Sequence, residues 1–132
     1  MMEGINQRGT PYRVLIIDDS TFIAKQLGKI LASEGFEVTD TAVNGAIGVK
    51  KYVELHPNID LVTMDITMPG IDGVSALEKI LEFDKKAIVI MITAAGKEDT
   101  VKKCLQKGAK GFIVKPLNRD KVLRRVVPIL KQ

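Results

Sequence analysis

The chain has 132 residues and a formal net charge of +4, a length suited to one domain with a single sizeable core. Hydrophobic residues make up 45% and charged residues 27%, the balance of a soluble globular protein. No apolar run approaches the roughly 18 residues of a membrane span. One cysteine, Cys104, and one histidine, His56, exclude a disulfide framework, a cysteine zinc cage and a histidine-rich metal site.

Residues 1–11 are polar and lack the apolar stretch of a signal peptide. They are expected to form a mobile N-terminal extension, with 12–132 as the folded domain and a reduced cytoplasm as its compartment. Arg13-Val14-Leu15-Ile16-Ile17 is a continuous apolar run, the pattern of a strand buried on both faces, and it ends in Asp18-Asp19-Ser20. Helical spacing follows at Ile23, Leu27, Ile30 and Leu31, with Ser20 or Asp19 to cap the start and Gly35 to stop it. Phe36 to Ala42 alternates, as an edge strand does. A second helix is predicted over 45–55, with Ile47, Val49, Tyr52 and Val53 as its apolar residues, closed by His56-Pro57.

Leu61-Val62-Thr63-Met64 is a strand-sized apolar run that delivers one carboxylate, Asp65, at its end. Pro69, Gly70 and Gly73 then force a loop before a helix carrying Val74, Leu77, Ile80 and Leu81. Ile88 to Ile92 is the most β-prone run and ends in Thr93-Ala94-Ala95-Gly96. A charged helix over about 98–107 has only Val101, Cys104 and Leu105 to bury. Gly111-Phe112-Ile113-Val114 is a last short strand, ending in Lys115-Pro116. The final helix starts near Asn118, and Pro128 predicts a kink or an early end in it. Five strands alternating with five helices predict an α/β fold: a (βα)5 doubly wound, five-stranded parallel sheet of flavodoxin/CheY-like order 2-1-3-4-5.

The charge is unevenly spread. Residues 1–96 hold 9 Lys/Arg against 13 Asp/Glu, whereas residues 97–132 hold 11 against 3. This basic third is either a solvated helix face or a docking surface for an acidic partner. Nucleic acid fits less well, because neither interleaved aromatics nor a reading motif accompanies the basic residues.

In the predicted topology all the strand ends share one rim. Strand one brings Asp18 and Asp19, strand three Asp65, strand four Thr93 and strand five Lys115. An acidic pair often caps a helix, and a lysine before proline is usually plain surface. Four of five strand ends carrying such groups is harder to assign to chance. Two carboxylates about 5 Å apart repel by roughly 3 kcal/mol at an effective dielectric near 20, and Lys115 supplies only one compensating charge. A hard divalent ion with oxygen ligands, Mg²⁺ for preference, would complete the balance. A carboxylate beside that ion and a lysine is a good phosphoryl acceptor, with Thr93 placed to donate a hydrogen bond.

Asp18-Asp19, Asp65 with Met68-Pro69 and Asp72-Gly73, Thr93-Ala94 and Lys115-Pro116 together resemble the receiver domain of two-component response regulators. The resemblance spans about residues 13–131, and the absence of an attached output domain suggests a stand-alone receiver of the CheY type. It implies that Asp65 accepts phosphate from a sensor histidine kinase. It also implies that Asp18, Asp19, Asp65 and the backbone carbonyl of Thr67 hold Mg²⁺, and that Lys115 contacts the phosphoryl group and precedes a cis peptide bond. Thr93 and Phe112 would be the switch pair. Lys102, Lys103, Lys107, Phe112, Lys121 and Arg125 would form the face offered to a target, in chemotaxis a flagellar motor switch component. The expected protein is a monomer that binds neither nucleic acid nor membrane and is no conventional enzyme. Thr67 and Ala95 flank the path of an attacking water, so the phosphoryl lifetime stays open. His56, at a helix end beside Pro57, is not expected to be a phosphate donor.

Other readings compete with this one. A haloacid-dehalogenase-like phosphatase also uses Mg²⁺ and an Asp after a strand, but wants a second Asp where this chain has Thr67. Others are a receiver serving a relay outside chemotaxis, and one severed from a DNA-binding regulator. Flavin binding is poorest, since a phosphate loop would not read Asp-Asp.

Overall fold

The computed structural model describes residues 2–131. Ten elements alternate along the chain: β1 (Arg13–Ile17), α1 (Thr21–Ala32), β2 (Glu37–Ala42), α2 (Gly45–Leu55), β3 (Leu61–Asp65), α3 (Gly73–Phe83), β4 (Val89–Thr93), α4 (Glu98–Lys107), β5 (Gly111–Val114) and α5 (Arg119–Leu130). The strands are all parallel in the order β2-β1-β3-β4-β5, as the alternation of patterns predicts.

The continuous apolar strands serve two cores at once, because successive side chains point to opposite faces. Val14, Ile16, Leu61, Ile90, Ile92 and Ile113 pack under α1 and α5, against Leu27, Leu31, Val122 and Val126. Leu15, Ile17, Val62, Met64, Val89 and Met91 pack on the other face, against Tyr52 of α2, Leu77 and Ile80 of α3, and Val101 and Cys104 of α4. Leu27 and Leu77 are fully buried, so truncating either to alanine should cost about 2–5 kcal/mol.

Local signals explain where the helices begin and end. Side chains of Ser20, Asn44, Asp72 and Asn118 accept from backbone N–H groups in the first turns of α1, α2, α3 and α5. Gly35 adopts φ +91° just past α1, a conformation that favours glycine.

The structure departs from the sequence expectations in four places. The polar N-terminal segment is seated on the domain, not free. Gly4 N–H donates to the Glu34 carbonyl at 2.8 Å, Tyr12 N–H donates to the Gly4 carbonyl at 2.8 Å, and Lys131 pairs with Glu3 at 3.6 Å. Composition misses this because backbone groups make most of the bonds. Second, α5 continues through Pro128 to Leu130. The proline sits in the last turn, where the carbonyl it strands belongs to exposed Arg124 and reaches water. Third, β2 does not alternate throughout: Val14 pairs with Val38 and Leu15 with Asp40, so Thr39 is the extra residue of a bulge. Fourth, several apolar residues on helices remain exposed, among them Ile47 and Val53 of α2 and Leu105 of α4.

Candidate phosphoryl site at the strand ends

The parallel registers bring the ends of β1, β3, β4 and β5 to one rim. Ile17 pairs with Met64, Asp65 with Ile92, and Thr93 with Val114. Asp18 follows the first of these strands, and its backbone N–H donates to the Ala42 carbonyl at 2.9 Å. Its carboxylate accepts the Ser20 N–H at 2.9 Å, which ties it to the start of α1. Asp65 closes β3 and is buried, as is Asp18, whereas Asp19 is exposed.

The loop after Asp65 leaves no room for a side chain at its far end. A Cβ on Gly73 would lie 2.3 Å from the Asp65 carbonyl oxygen and 2.7 Å from the Ile66 Cα, so only glycine lets α3 start so close to β3. Gly73 N–H donates to the Ile66 carbonyl at 2.9 Å, and Asp72 accepts from Ser75 N–H at 2.9 Å. Ile66 and Met68 turn inward and are buried, while Thr67 between them is exposed.

Oxygens of Asp18, Asp19 and Asp65 lie within 4.8 Å of one another. Lys115 Nζ is 3.6 Å from Asp65 Oδ1. Burial foremost, then the charge of Asp18, pushes the Asp65 carboxyl up to about 6, with Lys115 opposing. Burial also raises the Asp18 carboxyl, against the pull of the Ser20 N–H and of Lys115. Two buried carboxyls that both resist ionisation beside a lysine mark a cluster short of positive charge. Its all-oxygen donor set suits a hard divalent cation, and the residues present therefore fit Mg²⁺.

Thr93 ends β4 and is buried, its hydroxyl donating to the Ala94 carbonyl at 3.1 Å. Its own carbonyl accepts the Lys115 N–H at 2.7 Å, so the two residues share a backbone link. The Lys115–Pro116 bond is cis, as is His56–Pro57. Phe112 lies half-buried on β5 with the Arg125 guanidinium 4.9 Å from its ring centroid. Beside the ring is a largely apolar cavity of about 300 Å³, lined by Thr93, Val101, Leu105 and Val114 among others.

The predicted basic face is only partly brought together. Lys102, Lys103 and Lys107 are exposed on α4, with Lys107 sharing its charge with Glu78 at 3.5 Å. Lys121 turns back instead: its Nζ donates to the carbonyls of Val114 at 3.0 Å and Pro116 at 3.1 Å. Residue type and charge count alone do not reveal that. His56 lies at the end of α2, its ring 3.5 Å from the Asp84 carboxylate, which also accepts the Tyr52 hydroxyl at 2.6 Å.

Comparison with known proteins agrees with this geometry. Residues 14–127 match the family of the response regulator receiver domain. A "Chemotaxis protein CheY" of Treponema pallidum is 62% identical over 97% of this chain and 89% of its own. A protein of the same description from Bacillus subtilis is 48% identical over 87% of this chain and 94% of its own. Among solved structures, the CheX-CheY-BeF3-Mg+2 complex from Borrelia burgdorferi holds a chain 57% identical, with TM-score 0.94 and 98% of both chains covered. The chain belongs to the response regulator receiver domain family. It is a phosphorelay receiver of chemotaxis signalling, a signalling protein and not a classical enzyme.

Proposed function

We propose that Asp65 is the phosphoacceptor, taking a phosphoryl group from a phosphohistidine of a sensor histidine kinase. The observation that carries this reading is the single buried carboxylate at the end of β3, with Lys115 Nζ 3.6 Å from it. In the transfer an Asp65 carboxylate oxygen forms a bond to phosphorus, the phosphorus–nitrogen bond of the donor breaks, and its electron pair returns to the imidazole. Lys115 pairs with the incoming phosphoryl oxygens, and the Thr93 hydroxyl donates to one of them. Asp18, Asp19 and Asp65, with the Thr67 carbonyl, would hold Mg²⁺, which supplies charge neutralisation at the phosphoryl oxygens. In later hydrolysis, water attacks phosphorus from a path flanked by Thr67 and Ala95, the bond between phosphorus and the Asp65 oxygen breaks, and inorganic phosphate leaves the regenerated carboxylate. With Lys115 and Thr93 at the phosphoryl oxygens, the chain assists both its phosphorylation and its dephosphorylation.

The output is a change in affinity for a target protein across the face of Lys102, Lys103, Lys107, Phe112 and Arg125, from which the ammonium of Lys121 is turned away. A flagellar motor switch component is the proposed target. The relative from Borrelia burgdorferi was crystallised with CheX, and a CheX-like protein is a further proposed partner. No helix among the described residues is long and apolar enough to cross a membrane. The proposed working state is a cytoplasmic monomer. The deciding test is incubation with acetyl phosphate and Mg²⁺, followed by borohydride trapping and peptide mass spectrometry. One adduct at Asp65 is expected, and an adduct confined to any other residue would refute the assignment.

A further inference from the structure

Lys115 acts from the loop joining β5 to α5, and the structure shows what fixes that loop. The carbonyl before Lys115, that of Val114, accepts from Lys121 Nζ at 3.0 Å, and the next carbonyl after it, that of Pro116, accepts from the same ammonium at 3.1 Å. The following carbonyl, that of Leu117, accepts from Gln26 Nε2 of α1 at 3.3 Å. Asn118 then caps α5 by accepting the Lys121 N–H at 2.9 Å, which places Lys121 one turn along the same helix. A hydrogen bond from a charged donor is stronger than a neutral one, and here one donor bridges both sides of the residue that reaches Asp65. Lys121 is therefore engaged with the backbone, and only part of it remains for solvent or a partner.

We infer that Lys121, assisted by Gln26, is a positioning residue that aims Lys115 at Asp65. This inference rests on the proposed phosphoryl transfer to Asp65. An ammonium misplaced by a fraction of an ångström loses stabilisation of the transferring oxygens, because effects at a reacting centre fall steeply with geometry. Lys121 does not touch the phosphoryl group and acts only through the loop.

The test measures the rate of phosphorylation by acetyl phosphate with Mg²⁺ in the full chain, followed by intact-mass spectrometry. Lys121→Met keeps the length and removes the donor, and should slow the reaction by about tenfold. Lys121→Arg keeps charge and donors and should stay within about twofold of the parent. Gln26→Leu changes no charge and should slow it by about threefold, which separates loop positioning from a general loss of positive potential. In a Lys115→Ala background, Lys121→Met should have no further effect, since the group it aims is gone. Thermal melts monitor folding, and the non-additivity with Lys115 is the readout that a merely structural role would not move. A Lys121→Met protein that reacts at the parent rate overturns the inference, as does one slowed equally with and without Lys115. Absence of an Asp65 adduct on the parent chain would instead overturn the phosphoacceptor reading itself.

Discussion

The two ends of the proposed signal path are built differently. At the acidic rim three of the functional residues are held through backbone: Asp18 through Ser20 N–H and the Ala42 carbonyl, Asp65 by the close approach of Gly73, and Lys115 through the Thr93 carbonyl. Around Phe112 the ties are few. A cavity of about 300 Å³ lies on one side of the ring, and a single guanidinium covers it. Chemistry needs a site that does not reorganise during transfer, whereas a switch needs an element with two arrangements close in free energy. The contrast assigns rigidity to the rim and freedom to the β5 face.

The strongest way to break this division is at its rigid end. Asp65→Asn should abolish phosphorylation by acetyl phosphate and leave the far-ultraviolet spectrum unchanged, since asparagine is nearly isosteric. A stable phosphoryl adduct on that variant, seen by intact-mass spectrometry, would show that the rim holds another acceptor. Removing divalent cations should come next in size. Excess EDTA is expected to lower the rate on the parent chain by at least about a hundredfold, with recovery on adding Mg²⁺, and an unchanged rate would discard the metal reading.

The rim was legible in the sequence because strand ends can be counted. Once Ile17, Met64, Ile92 and Val114 are read as the last apolar residues of parallel strands, Asp18, Asp65, Thr93 and Lys115 must meet. The edge position of β2 and the β2-β1-β3-β4-β5 order were readable for the same reason. The docked N-terminal segment, the bulge at Thr39 and the inward turn of Lys121 were not. Each depends on bonds to backbone carbonyls or N–H groups, and side-chain patterning carries no record of those. Leu105 misled for another reason: α4 has so few apolar residues that helical spacing assigns it to the core, yet it lies exposed at the rim of the Phe112 cavity.

A smaller effect sharpens the comparison through stability. The folded protein holds the Asp65 proton up to about pH 6, while the unfolded chain releases it near its ordinary 3.8. The native state therefore binds more protons between those values, and without Mg²⁺ stability should fall as pH rises through that window and then level off. The difference corresponds to as much as about 3 kcal/mol for Asp65. Asp18, whose carboxyl burial also raises, adds in the same direction. Asp65→Asn should thus be more stable than the parent at pH 8 and equal to it near pH 4. Urea denaturation at both values decides the matter: equal midpoints at pH 8 would mean the rim is not charge-strained.

The smallest expected effect lies at the free end and concerns how the two regions communicate. A phosphoryl group places about −1.5 to −2 charges at Asp65. The Thr93 hydroxyl, now spent on the Ala94 carbonyl at 3.1 Å, would gain a charge-assisted bond by turning to it. That turn changes the wall of the cavity beside Phe112, and about 300 Å³ is ample for an aromatic ring, since about 150 Å³ admits benzene. Leaving Arg125 costs the ring about 0.5–1 kcal/mol of cation–π attraction. The net coupling should accordingly fall within ~1–3 kcal/mol. A fluorophenylalanine label at position 112 reports the ring position directly by fluorine NMR, with beryllofluoride and Mg²⁺ standing in for the phosphoryl group. The parent should show a shifted resonance on adding the mimic. Thr93→Ala should bind the mimic yet keep most of the ring in its original position. If the Thr93→Ala resonance moves as far as the parent's, the hydroxyl is not the relay, and the freedom of Phe112 is governed from elsewhere on β5.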